Sequence, residues 1–173
     1  MKPDITSANS ILSRKIRMKQ NKISVLFLLA LMVFLHPSIS VGQTLTIDPE
    51  NLKSIPSNKL VIIDTRSKFK YLLGHIPNSI HLGRWQDFTQ KINGVRGLLI
   101  KNLNLIASKF NSYGIHPSKT IVIYGEPDDP WRTDGRFFWM FERFGFNKVI
   151  ILEGGVESWK TSGSKLEFGP GKP

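Results

Sequence analysis

The sequence predicts an α/β fold, a parallel sheet flanked by helices on both faces. Three observations carry that expectation. Short, nearly continuous apolar runs recur at Lys59–Asp64, Thr120–Tyr124 and Asn147–Leu152, as strands buried on both faces require. Segments of helical period separate them, and parallel strands need such crossovers. Glycines close those segments at Gly74, Gly114, Gly145 and Gly163, where a helix takes a left-handed stop.

Each element follows in order. Asp48-Pro49-Glu50 supplies an N-cap with proline at the first helical position, opening a short helix through Leu52. Lys59–Asp64 is the first strand. Ser67 caps a helix over Lys68–Leu73, and Ser79–Leu82 is a second strand after the Ile76-Pro77-Asn78 turn. Leu99, Leu103, Ile106, Phe110 and Tyr113 step by 4, 3, 4 and 3, which predicts an amphipathic helix between Leu98 and Tyr113. Thr120–Tyr124 is the strongest strand, and prolines and acids make Gly125–Arg132 a loop. Phe137, Phe138, Phe141 and Phe144 mark a helix opened by Thr133 or Asp134. Asn147–Leu152, the Gly154-Gly155 turn and a helix over Val156–Ser162 complete the pattern, with a frayed tail expected over Gly169–Pro173.

Composition narrows the chemistry. The 173 residues include no cysteine, so this chain has no disulfide, no thiolate metal ligand and no sulfur nucleophile. The formal net charge is +11, but Lys2, Arg14, Lys15, Arg17, Lys19 and Lys22 against Asp4 place +5 of it in residues 1–42. After Gln43 the Lys and Arg are scattered, which argues against a nucleic-acid surface. Residues 1–42 have the layout of an export signal: basic residues, a 13-residue apolar run from Ile23 to Leu35, then Pro37 and small residues up to Gly42. As a helix that run is about 20 Å long, short of a bilayer core of about 30 Å. The expectation is cleavage before Gln43, a periplasmic or secreted protein, and a membrane contact only through an uncleaved signal. Met18 is a natural start, which makes residues 1–17 an over-extended one. Residues 43–173 form one domain.

Four segments then stand in a telling order: Val61–Arg66, Gly74–Ile80 with His75, Ile121–Tyr124 before the loop, and Val149–Gly155 followed by Trp159. Together they resemble a rhodanese homology domain, and Phe137–Gly145 with Arg84–Phe88 is most similar to the thiosulfate or mercaptopyruvate sulfurtransferase branch. The resemblance implies a rhodanese-like sheet and a cysteine at the end of the strand before the loop. Backbone N–H groups and a helix N-terminus would stabilise its thiolate. Here Gly125 occupies that position, so the resemblance implies no catalytic residue.

The loop departs further. It is longer than the compact cradle of that family, and Glu126, Asp128 and Asp129 would repel an incoming anion. Arg132 and Arg136 oppose those charges from the helix side, where pairing with the acids is the alternative to binding a ligand. The extra length is expected to hold the Arg132-Thr133-Asp134 helix start away from position 125. Trp131 either folds back on the core or marks a contact surface. The resemblance gives Asp64, Arg66, His75, Gly154, Gly155 and Trp159 structural roles. His81 and His116 are isolated, and no metal or other cofactor is expected. The functional expectation is an exported, non-catalytic domain that binds a partner or small ligand. The alternative is the non-catalytic half of a two-chain sulfurtransferase whose partner is a cysteine-bearing rhodanese domain.

Overall fold

The computed structural model describes residues 44–171. The export-signal reading of residues 1–42 lies outside them. A five-stranded, wholly parallel sheet runs, from one edge to the other, β1 (Thr46–Ile47), β7 (Val149–Leu152), β6 (Thr120–Tyr124), β2 (Leu60–Asp64) and β3 (Ser79–His81). Four α-helices connect them, α1 (Pro49–Ser54), α2 (Lys68–Leu72), α3 (Leu103–Ser112) and α4 (Thr133–Arg143), and α5 (Gly155–Thr161) follows the last strand. Among the described residues no helix is long and apolar enough to cross a membrane.

Alternate strand residues feed two cores, as the period of two demands. Val61, Ile63, Ile121 and Ile123 face one side with Ile106 and Phe110 of α3 and Phe137, Met140 and Phe141 of α4. Ile62, Val122 and Tyr124 face the other with Leu52 of α1 and Val156 and Trp159 of α5. In the first core Phe110 stacks on Phe88 and Phe141, with ring centroids 5.5 and 5.0 Å away, and meets Phe146 edge-on at 5.5 Å. The expected caps are present: Asp48 and Ser67 accept hydrogen bonds from Asn51 and Lys70 N–H at the starts of α1 and α2.

Three sequence expectations are corrected. The Leu98–Tyr113 helix begins only at Leu103, after Asn102 accepts from Leu105 N–H. Leu98 and Leu99 belong instead to a hairpin, β4 (Thr89–Ile92) and β5 (Val95–Leu99). Its turn residues Asn93 and Gly94 both have positive φ, 48° and 86°, the conformation of a type I′ turn. The helical ladder misled because Leu99 and Leu103 match its spacing, yet Leu103 is exposed. The edge strand β1, too short for a periodic signal, was not expected. The tail is docked rather than frayed as far as Gly171. His75 and Glu167 exchange backbone hydrogen bonds of 2.8 Å, Gly169 N–H donates to Leu72 O, and a Cβ at Gly171 would collide with the Tyr71 hydroxyl.

Candidate functional site

The loop and its surroundings lie at the C-terminal end of the sheet, where α/β folds place ligands. Beneath it Asp64, at the end of β2, is fully buried. Its carboxylate accepts from the Arg66 guanidinium at 2.7 to 3.1 Å, from Arg66 N–H at 2.9 Å and from the Tyr124 hydroxyl at 2.7 Å. Tyr124 also accepts from Ile76 N–H, and Arg66 donates to Gly74 O. Burial, with the Asp64 charge beside it, pushes the Tyr124 phenol far above its usual range. This network ties the ends of β2 and β6 to the His75 turn. His75 is wholly buried, stacked on Tyr71 at 4.0 Å, with Nδ1 2.9 Å from Tyr71 O. Nδ1 therefore carries the proton.

Gly125 follows Tyr124 and is buried. Its φ is not positive, and its carbonyl accepts from Val156 N–H at 3.1 Å. A Cβ on Gly155 would lie on that carbonyl, so Gly155, at φ 57°, must be glycine. Gly154 precedes it at φ 68° and caps α5. Trp159 is buried on the same helix, its indole N–H donating to Lys165 O.

The loop folds back in two turns, Asp129 N–H to Glu126 O and Arg132 N–H to Asp129 O. Those turns overturn the expectation that loop length displaces the helix start. A Cβ on Gly125 would stand 2.9 Å from Thr65 Oγ1 and only 3.6 and 3.9 Å from Cβ and Cγ of Asp134. Asp134 is buried, paired with Arg132 at 2.9 Å, and accepts from Gly135 N–H. Asp129 accepts from Thr133 N–H at 2.9 Å and Trp131 N–H at 3.0 Å. The donors at the start of α4 thus face the chain's own carboxylates, as anions at a helix N-terminus would.

The acids of the loop do not act together. Glu126 lies 3.6 Å from Arg66 and 3.3 Å from Lys70, Asp129 is half-buried and turned to the start of α4, and Asp128 stays exposed. Arg132 pairs with Asp134, an acid that sequence reasoning had left out of the site. Among the described residues no three His, Asp or Glu side chains are grouped to hold a metal ion. Trp131 does not fold into the core. It is 71% exposed and lies with Arg136, whose guanidinium carbon is 6.0 Å from its ring centre.

Partial burial opposes ionisation of Asp129, but the Thr133 hydroxyl and N–H and the Trp131 N–H outweigh it and lower its pKa. A depressed carboxylate adds stability above the unfolded pKa of about 3.9 and loses it as pH falls through the folded value. Asp129→Ala is expected to cost about 1 kcal/mol at pH 7, the usual worth of a side-chain oxygen that accepts from N–H groups at a helix start. Urea unfolding at pH 7 and below pH 3 checks this: the gap between wild type and variant should shrink in acid.

Residues 48–162 match the family model of the rhodanese-like domain. The chain belongs to the rhodanese-like family. This domain is 26% identical over 99 residues to a thiosulfate sulfurtransferase of Corynebacterium glutamicum, covering 57% of the chain and 31% of the relative. It is 28% identical over 118 residues to a thiosulfate sulfurtransferase of Azotobacter vinelandii, covering 66% and 41%. The rhodanese-like chain therefore spans less than half the length of these curated relatives. The crystal structure of the 3-mercaptopyruvate sulfurtransferase SseA of Escherichia coli shares the fold, with a TM-score of 0.63 at 23% identity over 75% of this chain and 52% of that one.

Proposed function

We propose that this protein is an exported rhodanese-like domain that binds a partner or small ligand and does not itself transfer sulfur. One observation carries the reading. Where a rhodanese nucleophile would project from the end of β6 there is only Gly125, and the space beside it is faced by Thr65 and the buried Asp134. Thr and Asp oxygens cannot hold a sulfane sulfur as a persulfide, and the chain has no thiol to supply one. The fold remains intact around the missing group, so what it offers is surface and cleft. Purified protein is expected to show no thiosulfate:cyanide sulfurtransferase activity above a heat-killed control. Reproducible turnover through repeated purification would sink the proposal.

A second reading has its own support. The chain matches 31% and 41% of two thiosulfate sulfurtransferases and 52% of SseA, which fits one half of a two-part enzyme. On that reading it presents its loop face to a separate cysteine-bearing rhodanese domain. Turnover by such a domain, encoded beside this one, would then rise on mixing the two proteins and stay constant under the first reading.

A further inference from the structure

Beside the loop lies a cleft of about 1010 Å³. It opens between the ends of β2 and β3, the turn Trp85–Phe88, and the outer faces of α3 and α4. Its volume is that of a large small-molecule site. Two features give it a chemistry. Trp85 and Trp131 line it, and Arg136 sits against both, its guanidinium carbon 5.0 Å from the Trp85 ring centre and 6.0 Å from that of Trp131. Arg136 Nε donates to Trp131 O at 3.2 Å, which leaves both Nη groups as its remaining donors.

Charge supplies the second feature. Arg66, Lys68, Arg84, Lys109 and Arg136 line the cleft against the single acid Asp87. Arg66 is neutralised by Asp64, and Arg84 lies 3.8 Å from Asp87. Among the described residues Lys68, Lys109 and Arg136 have no carboxylate within 4.0 Å, while Lys109 is held by Asp87 O and stands 4.2 Å over the Phe88 ring. Cations of one sign in a low-dielectric cleft focus a field that concentrates anions. A small inorganic anion would answer the charge but leave the indoles wet. A neutral ring would cover the indoles but leave the donors unanswered.

We infer that this cleft binds a flat organic anion, an aromatic ring carrying a carboxylate, sulfonate or phosphate, with the acid group on Arg136 and the ring against Trp85 and Trp131. The inference rests on reading the domain as a binder, but its test is separate from the sulfur-transfer assay. Titration calorimetry of the purified protein at pH 7 uses naphthalene-2-sulfonate as probe, with 2-naphthol and sulfate as the neutral ring and the bare anion. Saturable binding of the sulfonate is expected, with both controls at least about tenfold weaker, a difference of about 1.4 kcal/mol. Arg136→Gln and Lys109→Gln should each weaken it several-fold, Trp85→Leu about tenfold, and Arg96→Gln on β5 should leave it unchanged. Thermal melts confirm that each variant is folded, and the two surface substitutions keep the test open should Trp85→Leu unfold. The inference is overturned by an absence of saturable heat up to about 10 mM probe, where binding would be worth under about 3 kcal/mol. Equal binding of all three probes, or binding that ignores both Arg136→Gln and Lys109→Gln, overturns it as well.

Discussion

Asp64→Ala is expected to lower the unfolding free energy by about 3–5 kcal/mol, the usual cost of leaving one charge of a buried pair unpartnered. The side chains of Asp64 and Arg66 are 0% and 5% exposed, so water cannot replace the lost carboxylate. The Tyr124 hydroxyl loses its acceptor in the same step, and Arg66 keeps only Gly74 O and the longer contact to Glu126. Burial weakens the hold of Arg66 on its proton, but the hydrogen bond and charge of Asp64 more than reverse this. Without Asp64 only the opposing burial remains, yet a guanidinium keeps its proton at neutral pH, so Arg66 is charged and stranded in the variant. Asp64→Asn keeps oxygen acceptance for Tyr124 and should recover part of the loss. Urea midpoints at constant slope measure both. A loss under about 1 kcal/mol for Asp64→Ala would show that the pair contributes no more than a surface salt bridge.

Gly125→Cys alone is expected to yield a thiol that titrates at or above about 8.5, the value of free cysteine, and no measurable thiosulfate turnover. The cause differs from the one the loop length suggested. The helix start is not distant: the new Cβ lies within 4 Å of the Asp134 carboxyl carbon, a like charge that disfavours the thiolate. Asp129 and Asp134 already accept from the N–H groups at the start of α4 that would otherwise stabilise it. The Thr65 hydroxyl, 2.9 Å from that Cβ, must give way and with it the bond to Tyr124 O. Backbone strain from a left-handed φ adds nothing, since φ at Gly125 is not positive. Adding Asp134→Asn removes the charge and frees Arg132, so the double variant should titrate lower than the single one. The pH dependence of iodoacetamide labelling, read beside a cyanolysis assay, decides the matter. A midpoint below about 7 in the single variant, with turnover, would mean that the anion cradle survives.

Much of the fold was legible in advance because its signals are local. Apolar runs at β2, β6 and β7, the caps Asp48 and Ser67 and the stops at Gly114 and Gly145 each act within a few residues. The β4–β5 hairpin was missed although Asn93-Gly94 is the strongest short turn signal, because the leucine ladder beyond it matched a helical spacing. In the site, the resemblance gave Asp64 and Arg66 structural roles, but that they pair with each other is visible only in the structure. The acids of the loop were grouped by proximity in sequence, whereas Glu126 turns to Arg66 and Lys70 and Asp129 to the start of α4. Asp134 escaped notice because a helix-opening aspartate is ordinarily solvated.

By itself the sequence determined the parallel α/β architecture, the two-faced core and the absence of any sulfur nucleophile. Those properties depend on composition and on periods of two and 3.6 residues, which a single chain displays directly. Only the tertiary structure decided that Asp134 faces Gly125, that the tail closes over His75, and that Arg136 stands against Trp85. Trp85 and Arg136 are far apart in sequence and lie on separate crossovers. Their meeting depends on how the turn after β3 and helix α4 pack over one end of the sheet, a long-range geometry that no local pattern encodes.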